Sequence, residues 1–141
     1  MVAAAKLRRF QNLMQQTMPY TLGLQNLLGR LHQNVPDKSH PFFEQREQKR
    51  IAVVLFTSDS GLCGSYNLSL IARTTHFFQE NPSDKMLLGV GKSGVTALNR
   101  TGHQASKVFF EIRPNRFDEI MNELQTEIQS LYLRNEVDAV Y

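Results

Sequence analysis

The residue pattern richest in chemical possibility is Gly89-Val-Gly91-Lys-Ser-Gly94, a GxGxxG run that follows a short apolar stretch and opens a helical one. Glycines so placed let a backbone approach a pyrophosphate at the positive end of a helix, and Glu111, 22 residues after Gly89, could hold a ribose hydroxyl. The chemistry would be nucleotide or dinucleotide binding. Several features weigh against it. The run follows the second apolar stretch of its series rather than the first, and the helix after it is short and ends in Asn99-Arg-Thr-Gly102. The run is read here as a tight strand-to-helix turn that needs glycine. Gly91-Lys-Ser93 is not the end of a Walker A loop, because Met86 stands where that loop needs its first glycine.

Cys63 is the single cysteine, so no intrachain disulfide and no cysteine-based zinc cage can form. As a nucleophile it would need a base in reach, and the histidines at 32, 40, 76 and 103 have no paired spacing. It reads as a small buried residue of a turn. No His, Asp, Glu or Cys pair has metal-ligand spacing, and no metal or cofactor is expected. The formal charge of +3 is unevenly distributed. Residues 1–36 carry Lys6, Arg8, Arg9 and Arg30 without an acid, giving +4, and the remaining 105 residues balance to −1. Four cations without interleaved aromatics are a weak footprint for nucleic acid, which is not expected as a partner.

The elements that must position these residues follow from periodicity. Residues 1–33 read as a long helix rich in Ala, Leu, Met, Gln and Arg, with Leu7, Phe10, Leu13, Met14, Leu24, Leu27, Leu28, Leu31 and Val35 at helical spacing. Pro19 predicts a kink or break near Met18. Asn34, Pro36, Asp37 and Ser39 are stop signals. Ile51–Thr57 is a β-branched, nearly all-apolar run, the pattern of a strand buried on both faces. A Gly-rich turn over Ser58–Gly64 follows, then a helix over Ser65–Gln79. The unit repeats: strands at Met86–Val90 and Lys107–Ile112, and a helix over Lys92–Thr101. Asn115 and Asp118 suggest a capping box opening a helix whose buried stripe is Phe117, Ile120, Met121, Leu124, Ile128, Leu131 and Tyr132. Val137–Tyr141 begins a fourth strand. Strands alternating with helices predict an α/β fold, a Rossmann-like parallel sheet with helices on its faces, preceded by the long N-terminal helix. The expected divisions are a helix at 1–35, a linker at 36–50 and an α/β body at 51–141. The abrupt helical start at Met1 and the end within a strand suggest a piece of a longer chain.

Thr57-Ser-Asp-Ser-Gly-Leu-Cys-Gly-Ser-Tyr-Asn67 closely resembles the SDxGLCGxxN signature of the F-type ATP synthase gamma subunit family. Met1-Val-Ala-Ala-Ala-Lys-Leu-Arg-Arg9, Pro19-Tyr20, Leu87–Gly94 and Val137–Tyr141 resemble other parts of that family, in order along the chain. Ser60 departs from it, standing where the family commonly has Arg. The resemblance implies a non-catalytic central rotor-stalk subunit, whose helices form a coiled-coil shaft turning inside the alpha/beta hexamer. It implies coupling of proton flow through a membrane c-ring to ATP synthesis or hydrolysis, and contact with the epsilon subunit. The expected location is peripheral, on the cytoplasmic face of a bacterial inner membrane or its equivalent on an organellar inner membrane. By the same resemblance Lys6, Arg8 and Arg9 belong to a basic interaction surface. Ser58, Asp59, Gly61, Leu62, Cys63, Gly64 and Asn67 form a structural signature loop, the glycines making the turn and Asp59 and Asn67 tying loop to helix. The alternative is a small nucleotide-binding α/β protein using Gly89–Gly94.

Overall fold

A run of β-branched and leucine residues too short for a helix, Arg50–Phe56, forms strand β1 at the centre of the second of two units. The computed structural model describes residues 2–34 and 40–141. It divides into Met1–Gln45 and Arg46–Tyr141.

In the first unit, helix α1 runs over Val2–Asn34. Of the kink or break expected near Met18, a break does not occur: the helix continues through Pro19. Two flanking threonines turn back on the same helix, Thr17 Oγ1 donating to Leu13 O (2.8 Å) and Thr21 Oγ1 to Thr17 O (3.2 Å). The expected stop signals at Pro36, Asp37 and Ser39, and the apolar Val35, lie outside the described residues. A short 3-10 turn, Pro41–Phe43, follows, with His40 Nδ1 accepting from the Phe42 amide.

The second unit is an α/β sandwich. After β1 come α2 (Tyr66–Glu80), β2 (Asp84–Val90), α3 (Lys92–Arg100), β3 (Ala105–Phe109), α4 (Phe117–Leu133) and β4 (Ala139–Val140). All pairings are parallel and the strand order is β3-β2-β1-β4. Alternation along β1 divides its side chains between two cores. Ile51, Val53 and Leu55 pack with Leu87, Phe78 of α2 and Leu98 of α3. Ala52, on the opposite face, packs with Leu88, Val90 and Phe109 against Ile120, Leu124 and Leu131 of α4. The parallel sheet is thus covered on both faces, which is what its continuous apolar runs require.

Three local expectations are corrected. Strand β3 begins at Ala105 and ends at Phe109, so Glu111 lies beyond it, in a loop at φ +57°. The Asn115–Asp118 capping box does not form: Arg116 is the residue before α4 and no side chain caps it. Phe117 is exposed rather than part of the buried stripe, because it sits in the first turn, ahead of the region that α4 presses on the sheet.

Candidate functional site

The carboxyl ends of parallel strands are where open α/β sheets place their ligands. Here three loops meet at that edge: the signature turn after β1, the glycine turn after β2 and the segment after β3. What each backbone amide bonds to decides whether a phosphate could be held there.

The first-turn amides of α3 are taken by the β1 loop. Lys92 N donates to Asp59 Oδ1 (3.2 Å), Ser93 N to Ser58 O (3.1 Å) and Gly94 N to Thr57 Oγ1 (2.9 Å). Gly91 N donates to Phe109 O (2.7 Å). The position where a pyrophosphate would accept from a helix terminus already holds a carboxylate, a carbonyl and a hydroxyl of the same chain. Asp59 Oδ2 also accepts from Ile112 N (3.2 Å), so one aspartate joins all three loops.

The glycines serve the same packing. A Cβ on Gly91, at φ +90°, would lie 2.0 Å from Thr57 O. On Gly94 it would lie 2.6 Å from Thr57 Cγ2 and 2.8 Å from Leu55 Cδ2, and on Gly89 it would meet Val95 Cγ2. These residues let α3 lie close on β1, and the space beside them is filled by Thr57, Leu55 and Val95. Glu111 faces Arg116, with Nη1 3.8 Å from Oε2.

The signature turn itself is held by Asn67, which is buried at the start of α2. Its Oδ1 accepts from Ser58 N (3.1 Å) and its Nδ2 donates to Ser58 Oγ (2.8 Å). Ser58 Oγ in turn donates to Ser60 O and lies 3.6 Å from Cys63 Sγ. Its hydroxyl, followed by the Asn67 amide, holds the Cys63 thiol below its ordinary pKa. Asn67 therefore ties the loop to its own helix, whereas Asp59 ties it to α3 and to the β3–α4 segment. The left-handed residues are Leu62 (φ +63°) and Gly64 (φ +61°), not Gly61, whose added Cβ would meet nothing within 4 Å. Leu62 is wholly exposed despite its apolar side chain and the left-handed backbone it occupies.

Lys6, Arg8 and Arg9 are exposed on α1 and belong to the other unit. Sequence reasoning passed over Thr57, whose buried hydroxyl anchors α3. Its signal was a lone hydroxyl closing an otherwise apolar strand. Among the described residues no group of three or more His, Cys, Asp or Glu is placed to hold a metal ion, and no helix is long and apolar enough to cross a membrane.

The fold and this edge define a helix-bearing α/β protein of the parallel-sheet class, whose usual ligand position is closed by its own loop. A family model described as ATP synthase matches residues 1–141, and the chain belongs to that family. The ATP synthase gamma chain of Desulfitobacterium hafniense is 36% identical over 141 residues, covering 100% of this chain and 50% of that protein. Those of Moorella thermoacetica and Fusobacterium nucleatum are 34% and 28% identical, each over 99% of this chain and 50% of the relative. The chain spans about half the length of the curated relatives it matches.

Proposed function

We propose that this chain is part of the central rotor-stalk (gamma) subunit of a proton-translocating F-type ATP synthase, non-catalytic by itself. In this reading residues 1–35 contribute to the shaft, 36–50 link it, and 51–141 form the body the shaft turns. The observation that carries the reading is the apolar seam of α1. Leu7, Phe10, Met14, Leu24, Leu28 and Leu31 alternate at three- and four-residue steps in one heptad frame, and all are exposed. Thr17 and Thr21 fill the remaining seam positions with their hydroxyls bonded to their own helix, so no polar partner is required there. A seam with this period is buried by another helix in a left-handed coiled coil. Arg8 and Arg9 lie off the seam, free to face an acidic surface outside the helix pair, as a surrounding alpha/beta hexamer would offer.

The closed edge of the sheet supports the same reading, since it leaves the nucleotide-binding alternative without free amides. A sheet packed on both faces deforms little, which suits a body that carries torque between the catalytic hexamer, the epsilon subunit and a membrane c-ring. The place of action is then the cytoplasmic face of a bacterial inner membrane, held peripherally. The test is affinity purification of the full-length subunit from its native cell. Recovery of alpha and beta subunits supports the rotor reading; recovery of the subunit alone overturns it.

A further inference from the structure

The segment entering β1 is fastened far more heavily than a linker needs. Arg46 Nη1 donates to Tyr132 O (2.8 Å) while its guanidinium stacks 4.0 Å over the Tyr132 ring, at the end of α4. Arg50 Nη2 donates to Asn135 O (2.6 Å), in the left-handed turn between α4 and β4. Asp138 Oδ2 accepts both from Lys49 N (2.9 Å) and from Arg50 N (2.7 Å), and Asp138 N donates back to Arg50 O (2.7 Å). Tyr141 Oη donates to Gln48 Oε1 (2.6 Å). On the other side, Asp84 N donates to Lys49 O (2.9 Å) and Ser83 Oγ to Gln48 O. Four of these residues, Arg46, Gln48, Lys49 and Arg50, are therefore bonded to the start of β2, to the residues flanking β4 and to the end of α4, at or before the first residue of the central strand.

We propose that Arg46–Arg50 is a strap, which passes tension arriving from the chain ahead of it into α4, β4 and β2 before it reaches β1 beyond Arg50. Its use in the cell rests on the rotor reading; the strap itself does not. Without it, a pull on Gln45 would act on the first hydrogen bonds of β1 one after another. With it, the pull must break charge-assisted bonds to several elements at once, and such bonds are roughly twice as strong as neutral ones. The Asp138 carboxylate, held below its ordinary pKa chiefly by the Arg50 amide, stays ionised and fastened near neutral pH.

The test is optical-tweezers unfolding of the whole chain, in a Cys63→Ser background with handles at engineered cysteines. One axis, Gln45→Cys with Gln104→Cys, loads the strap. The control axis, Gln79→Cys with Gln104→Cys, bypasses it. Asp138→Ala, which removes both charge-assisted bonds that the carboxylate accepts, is expected to speed forced unfolding along the strap axis about ten-fold or more. Along the control axis the change should stay within about two-fold, because the bond is not loaded there. Tyr141→Phe, which removes only the hydroxyl bond to Gln48, should act in the same direction and serves if Asp138→Ala does not fold. Equal acceleration along both axes, or none along the strap axis, overturns the proposal. Neither result touches the rotor reading, which is decided by subunit recovery.

Discussion

Replacing Gly91 by alanine tests whether the glycine turn exists for packing or for a phosphate. Gly91 has φ +90° and ψ +148°, a backbone region all but closed to L residues. Holding alanine there costs about 1–3 kcal/mol. The new Cβ would also sit 2.0 Å from Thr57 O and 2.7 Å from Thr57 C, so two backbone segments must move apart. That movement pulls on Gly94 N to Thr57 Oγ1 and on Ser93 N to Ser58 O, now 2.9 and 3.1 Å. Losing one of these adds about 1 kcal/mol. The sum is about 3 kcal/mol, which at a urea dependence of about 1.5 kcal/mol per molar lowers the midpoint by about 2 M. Equilibrium urea unfolding followed by far-UV circular dichroism measures it. A midpoint unchanged by Gly91→Ala would refute the packing account, and the more so if the wild type binds a nucleotide that the variant does not.

Within the signature turn, Gly64→Val should cost about 1–2 kcal/mol for placing a β-branched residue in the left-handed region. Gly61→Val should stay within about 0.5 kcal/mol because its site is open, and Leu62→Gly should stabilise by about 1 kcal/mol; three thermal melts check these signs. Asp138 has a carboxyl pKa lowered in the folded state, first by the Arg50 amide and then by that of Lys49, against an opposing effect of burial. Its contribution is fully present above the ordinary aspartate value and is lost as pH falls through the lowered one, since the unfolded chain then binds the proton more readily. The stability difference between wild type and Asp138→Asn should therefore be flat near neutrality and close on acidification; a difference that widens in acid would contradict this. Reversing charge at Arg8 and Arg9 to Glu should weaken assembly or coupling in the full-length complex, with unchanged ATP synthesis in membrane vesicles as the contrary result.

The α/β alternation, the buried central strand and the long helix were legible because each rests on periodicity, which survives without knowledge of partners. Ile51–Phe56 could be little else than a strand covered on both faces. What stayed hidden was decided by contacts between distant segments. Lys107 and Val108 fit a strand as well as Ile112 does, but Asp59 takes the Ile112 amide and draws the chain away from the sheet after Phe109. Pro19 leaves a kink or a break open from local sterics, and no break occurs because the surrounding helix tolerates one missing donor. Asp59 has partners on α3 and beyond β3 that lie 33 and 53 residues away. No local pattern announces such bonds. The same holds for Asp138, whose bonds to Lys49 and Arg50 cross 89 and 88 residues. Gly61 shows the opposite error: a glycine in a signature was credited with a backbone need that Leu62 and Gly64 actually bear.

The central claim is that α1 is a shaft helix whose seam is covered in an assembly that includes alpha and beta subunits. The most direct measurement is affinity purification of the full-length subunit, wild type beside Leu24→Asp/Leu28→Asp, with the recovered partners quantified by mass spectrometry. The account predicts alpha and beta subunits with the wild type and their loss with the seam variant, while the α/β unit within the variant chain melts as it does in the wild type. Recovery of the wild-type subunit without alpha and beta, or full recovery of both with the seam variant, would contradict it.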